Sequence, residues 1–154
     1  MTALTALTEH FTLEEFIRSH KAALLGLDNT PTPVIVANLR RLARFDELVR
    51  LELNGAAMVI SSGYRCPALN RAVGGSPNSA HLAGLANDFT APAFGTPMDI
   101  CQQLDRSYLQ FDQLIVERSH SAIWVHLGIA AEGVKPRRQV LTMDHKGTRV
   151  GLWS

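Results

Sequence analysis

Hydrophobic and polar positions first settle into a helical period at Phe11-Thr12-Leu13-Glu14-Glu15-Phe16-Ile17, where Leu13, Phe16 and Ile17 form one apolar stripe. Thr12 is a capping residue, Glu15 three positions later closes a capping box, and Phe11 stands where a hydrophobic staple would. Residues 1–10 lack such a pattern and read as a loose lead-in. Leu27-Asp28-Asn29-Thr30-Pro31-Thr32-Pro33 is a stiff connector, and its closing Thr-Pro opens a second helix. In that helix Ile35, Leu39, Leu42 and Val49 recur on one side, while Arg40, Arg41, Arg44 and Glu47 are left for water. Asn54-Gly55 is expected to stop it.

The pattern then shortens. Met58-Val59-Ile60 is an apolar run with a β-branched bias and predicts a strand. Residues 61–80 are rich in Gly, Ser and Pro and read as a loop with one short helix over 68–72, stopped by Gly74-Gly75. Residues 85–89 read as a strand, and Thr96-Pro97-Met98-Asp99 opens a third longer helix with Ile100, Leu104 and Tyr108 on one side. Further strands are expected over 113–117, 123–128 and 139–142. Helices come first and strands dominate later, so the expected class is α+β, with helices packed on a largely antiparallel sheet. Nothing divides the 154 residues, and one domain over 1–154 is expected.

Composition narrows the partners. A net charge of +1 gives no reason to expect nucleic acid or an acidic membrane surface. The short basic cluster at Lys135, Arg137 and Arg138 reads as a solvated turn first and a polyanion contact second. No apolar run approaches the roughly 20 residues of a bilayer span, and the first residues show no basic region followed by an apolar core, so neither membrane insertion nor a secretory signal is expected. Cys66 and Cys101 have no zinc-finger spacing. They fit either one disulfide or two thiols in a reducing compartment.

The candidate chemistry lies between residues 61 and 126. His81 and Asp88 flank Gly84, which lets the chain fold back and bring both side chains to one point. Asp88 sits in an apolar stretch (Leu85, Ala86, Phe89), where a carboxylate is costly unless paired or bound to a cation. In Ile123-Trp124-Val125-His126-Leu127, strand alternation puts Trp124 and His126 on one face and Ile123, Val125 and Leu127 on the other. Two histidines and one carboxylate would leave a fourth zinc position open, the pattern of a catalytic site. From spacing alone, a metal site and a set of hydrogen-bonded polar residues remain equally open.

Longer motifs change that balance. Ser62-Gly63-Tyr64-Arg65, Leu69-Asn70, Gly74-Gly75-Ser76 and the string Ser79-x-His81-x-x-Gly84-x-Ala86-x-Asp88-Phe89 closely resemble the zinc D-Ala-D-Ala carboxypeptidases and the phage L-alanyl-D-glutamate endopeptidases. Phe111-Asp112-Gln113-Leu114-Ile115-x-Glu117, Trp124-Val125-His126 and Arg137-Arg138-Gln139-Val140-Leu141 fit the same branch. The likeness runs from about Phe11 to Leu141.

The resemblance implies a Hedgehog/DD-peptidase-like zinc peptidase domain that hydrolyses peptides of the bacterial cell wall. One Zn²⁺ would be held by His81, Asp88 and His126. Arg65 matches an arginine that either faces the developing oxyanion or clamps a substrate carboxylate, and Ser79 matches a position that contacts substrate. Many relatives carry an acidic residue three positions before the last histidine. Here that position is Ile123, so Glu117 becomes the expected general base, with His120 as a further candidate and a surface role for Glu117 left open. Cys66 is expected to pack rather than ligate, Cys101 to be buried, Tyr64 to brace its loop, and Trp124 to form core or pocket wall. The expected protein is a monomer made in the cytoplasm that reaches the wall by release or in a virion. The alternative is a virion component that keeps the zinc for stability and no longer hydrolyses.

Overall fold

The computed structural model describes residues 3–154. Helix α1 (Leu13–Ile17) starts where its capping box places it, with the Thr12 amide donating to the Glu15 carboxylate at 2.7 Å. Phe11 and Phe16 stack at 5.9 Å between ring centroids, as the staple requires. The segment expected to be loose is tied down. Leu7 is buried in the core, and the Thr8 hydroxyl and His10 amide both donate to Glu47 of the next long helix. Met1 and Thr2 of that lead-in lie outside the described residues.

Helix α2 (His20–Leu25) has no apolar stripe, and the sequence reading misses it; Ser19 caps it and Gly26 ends it at φ 64°. Helix α3 (Pro33–Glu52) is capped by Thr32 and ends at Asn54-Gly55, both with positive φ. Leu39, Leu42 and Val49 are fully buried, and truncating such a leucine to alanine costs about 2–5 kcal/mol. Asp46, in the same buried row, is the exception that the apolar pattern did not reveal. Glu47, expected to face water, instead holds the N-terminal segment.

The described residues form six strands, β1 (Val59–Ser62), β2 (Ala86–Thr90), β3 (Gln113–Arg118), β4 (Ile123–Gly128), β5 (Gln139–Asp144) and β6 (Gly147–Val150). They form one sheet in the order β1-β2-β4-β3-β5-β6. Every pairing is antiparallel except β3 with β5. The largely antiparallel α+β expectation therefore holds. β6 was not foreseen, because its residues Gly147-Thr148-Arg149-Val150 are mostly exposed and carry no apolar alternation.

Helix α4 (Pro67–Ala72) is capped by the Cys66 sulfur, which accepts the Leu69 amide at 3.4 Å. Helix α5 (Pro97–Arg106) has the Thr96–Asp99 capping box, but Tyr108 lies beyond its end and is exposed, so it does not extend the buried stripe of Ile100 and Leu104. Both cysteines are free thiols.

Strand alternation gives the sheet two unlike faces. Phe89, Leu114, Val116, Val125 and Leu127 point to one core with α3 and α5. Their neighbours Asp88, Ile115, Glu117, Trp124 and His126 point the other way. That second face carries the functional groups.

Candidate metal centre

Three local devices converge on one point. Ser79 caps a 3-10 turn (Ala80–Ala83), its hydroxyl accepting the His81 amide at 3.3 Å, and Gly84 closes the turn at φ 69°. A Cβ at Gly84 would press on Ile35 and Leu39 of α3, so glycine is needed for space as well as for its dihedral. The chain then enters β2, which carries Asp88, and β2 pairs with β4 so that Asp88 stands directly opposite His126. A turn and one register fix all three side chains.

One oxygen of Asp88 is the focus. Oδ1 lies 3.3 Å from His81 Nε2 and 3.1 Å from His126 Nδ1. Donor atoms on a tetrahedral zinc with bonds of about 2.0–2.1 Å are separated by roughly 3.3 Å, so these spacings fit the edges of such a site. All three residues are buried, and their donor atoms lie within 4.8 Å of one another. His81 Nδ1 is 2.6 Å from the Gly63 carbonyl. An N–H there donates to that oxygen and leaves Nε2 with a free lone pair for a cation. His126 Nε2 is buried and has no partner among the described residues, so this imidazole has only Nδ1 committed. The donor set fits a divalent cation with nitrogen and carboxylate preferences, and zinc in particular.

Electrostatics point the same way. Burial works to raise the Asp88 carboxyl, but the adjacent His81 and His126 hold it well below the usual carboxylate range, so it presents an anionic oxygen. Its second oxygen, Oδ2, accepts from Arg65 Nη2 at 3.1 Å. Arg65 Nε also donates to the Ser62 hydroxyl at 3.1 Å, and Nη1 reaches Asn70 Oδ1 at 3.4 Å. Arg65 thus lines the site while committing most of its donors to neighbours, above all to the aspartate.

Glu117 of β3 shares the functional face, and its Oε1 is 3.8 Å from His126 Nδ1. Its carboxyl is pushed above the ordinary value by burial first and by Asp88 second; His126, Arg65 and Trp124 pull against that. Trp124 faces Glu117 in the β3–β4 register. His120 is exposed in the turn between those strands, away from this cluster of buried groups. Cys66 caps α4 and Cys101 is buried in the core, and neither belongs to the cluster of ligand atoms found among the described residues. Tyr64 is buried in the core cluster, and its backbone amide donates to the Phe16 carbonyl at 2.7 Å.

These groups line one cavity of about 660 Å³, which includes Arg65, Ser79, His81, Glu117, Trp124 and His126. It crosses β3 toward Leu141 and Met143 of β5 and is walled by the segment from Val73 to Ala80. Among sequence families, the match is to Peptidase M15, over residues 9–128. The chain belongs to the peptidase M15 family. Comparison with curated proteins finds no match. As an M15 peptidase carrying the two-histidine, one-aspartate cluster, the chain is a zinc metallopeptidase that hydrolyses peptidoglycan peptides.

Sequence reasoning missed several supports of this M15 site. The Gly63 carbonyl that orients His81 carries no side-chain signal, although a Cβ at Gly63 would drive into the Phe16 backbone. Asn70, which steadies Arg65 and donates to the Ser76 carbonyl at 2.9 Å, was visible only as part of a motif. Asp112 at the far end of the cavity carried only a motif signal, and Arg137 beside it was read as a solvated turn first and a polyanion contact second.

Proposed function

We propose that this M15 peptidase cuts a bond in a peptidoglycan stem peptide, as a carboxypeptidase or an endopeptidase, with one zinc ion held by His81 Nε2, Asp88 Oδ1 and His126 Nδ1. When bound there, zinc supplies Lewis-acid polarisation of a peptide carbonyl and makes water easier to deprotonate. The chain's own residues do the rest. Glu117 takes a proton from the attacking water on its carboxylate and returns it to the leaving amine; a raised pKa makes the carboxylate a stronger base for that task. Ile115, Trp124 and Met143 supply apolar walls to the cavity beside these groups. Ser79 presents its loop to the substrate at the cavity edge. Arg65 orients Asp88 and adds positive charge beside the site.

The observation that carries this reading is the position of Glu117, in the same cavity as the metal cluster and 3.8 Å from one of its histidines. It also weighs against a non-hydrolytic virion module, for which a half-buried acid beside the ligands has no use. We place its action at the wall, after release from the cytoplasm or carriage in a virion. The test is digestion of purified peptidoglycan stem peptides by the zinc-loaded protein and by His126→Ala. Cleavage by the first and none by the second is expected, and fragment masses name the bond. Stoichiometric zinc without cleavage would favour the structural module.

A further inference from the structure

Away from the metal cluster, the cavity ends at a charged corner. Asp112, just before β3, accepts from the Arg137 backbone amide at 3.0 Å, from Nε at 3.1 and 3.2 Å, and from Nη2 at 2.7 Å. One edge of the guanidinium is therefore fixed. Nη1 takes part in none of these bonds, and the Arg137 side chain remains 59% exposed while lining the cavity. A guanidinium held on one edge and open on the other is preorganised for a planar anion, because little side-chain freedom is left to lose on binding.

The local charge balance favours an anion too. Arg138 gives its donors to the carbonyls of Leu109, Leu104, Asp105 and Ser107 and lies 4.5 Å over the Phe111 ring. Among the described residues no carboxylate pairs with Arg138, so the Arg137–Asp112 pair stands beside a second guanidinium that has no acidic partner of its own. Next to the corner, Gln113 Nε2 donates to Gln139 Oε1 at 2.8 Å. The Gln113 carbonyl oxygen, on the cavity wall, is left to accept a peptide N–H.

Distance decides what fits. Ile115 pairs with His126 across β3 and β4, and Asp112 lies three residues earlier on the same chain. At about 3.4 Å per residue, the corner is roughly 10 Å from the level of the metal cluster. An extended peptide covers that span in about three residues.

We propose that Arg137, held by Asp112, is a substrate-anchoring residue that selects acidic peptides with a free carboxylate two or three residues from the cleaved bond. The proposal rests on the peptidase reading of the cavity and deepens it by naming the feature of the peptide that is recognised. Arg65 stays with Asp88, and Arg137 supplies the carboxylate clamp.

The test uses two peptides of stem-peptide type, identical except that this carboxylate is a carboxamide in one, together with reduced-amide analogues that bind but cannot be hydrolysed. Calorimetry on the zinc-loaded protein should show the acid analogue binding at least about tenfold tighter than the amide, equivalent to about 1.4 kcal/mol. Arg137→Ala should bring that ratio close to one, and Arg137→Lys should keep part of it. In turnover, the same loss should fall on KM for the acid peptide. Equal binding of acid and amide by the unaltered protein overturns the proposal whether or not any variant folds. So does an equal loss on both in Arg137→Ala, which would make the pair only a tie between β3 and the approach to β5. If the analogues are discriminated but neither peptide is cut, the peptidase reading falls and the anchoring site stands.

Discussion

Arg65 and Asp88 divide the labour of one carboxylate. The guanidinium holds Oδ2 at 3.1 Å, which turns Oδ1 toward His81 and His126. An arginine that the sequence likeness assigns to substrate is thus already engaged in fixing a ligand. Groups that orient metal ligands commonly contribute about 10–100-fold to affinity. Arg65→Ala should therefore weaken zinc by about that factor, read by competition with a chromogenic chelator, and Arg65→Lys should recover part of it. Unchanged zinc affinity with lost turnover would return Arg65 to a purely substrate-facing role.

Glu117→Gln keeps the shape of the side chain and removes its ability to take a proton. Turnover should fall by about 10²–10⁴-fold, the usual range for a positioned acid–base group. Zinc content, measured by metal analysis, should stay at one ion per chain. Near-normal turnover would mean that another group moves the proton.

Metal removal should cost stability as well as activity, because the three ligand atoms come together only in the folded chain. At free zinc about 100 times its dissociation constant, the folded state gains about 2.7 kcal/mol. The thermal midpoint should drop on chelation and recover on adding zinc, and His126→Ala should be insensitive to both. A midpoint indifferent to chelator would contradict metal binding at this cluster.

Asp46 predicts a separate pH effect on the helical side of the sheet. Burial pushes its carboxyl well above the ordinary value, against the hydrogen bond from Asn87 Nδ2 at 2.7 Å; Glu47 and Glu15 add to the rise. Asp46 Oδ1 and Asn87 Oδ1 are both buried without a donor, and a proton on Asp46 supplies one. The folded state therefore holds this proton where the unfolded chain has released it. Stability from this group is full below the unfolded value of about 3.9 and declines as pH rises toward the folded value, by up to about 1.4 kcal/mol per unit. Asp46→Asn, which carries a permanent amide donor, should flatten that part of the profile in denaturant titrations between pH 4 and 7. A parallel profile in the variant would show that Asp46 is ionised in the fold.

What the chain fixes locally was legible without a structure. The capping box of α1, the Thr-Pro starts of α3 and α5 and the Asn-Gly stop are interactions over three or four residues, and each is found where it was read. The alternation in β4 correctly put Trp124 and His126 on one face and Val125 and Leu127 on the other, while Ile123, at the strand's end, remains exposed. The ligand trio was likewise visible, since His81 and Asp88 share one turn-and-strand segment and His126 lies in a motif.

Tertiary structure alone decided the contacts made across long separations. Asp46 meets Asn87, Glu47 ties down the first residues, and β3 lies parallel to β5. Arg65 turns to Asp88, Glu117 comes beside His126, and Arg137 closes on Asp112 at the end of the cavity. The physical reason is the same in each case. A cap or a strand period is set by neighbours in the chain, whereas the partner of a charged or buried polar group is set by sheet order and register, which bring together residues 9 to 41 positions apart.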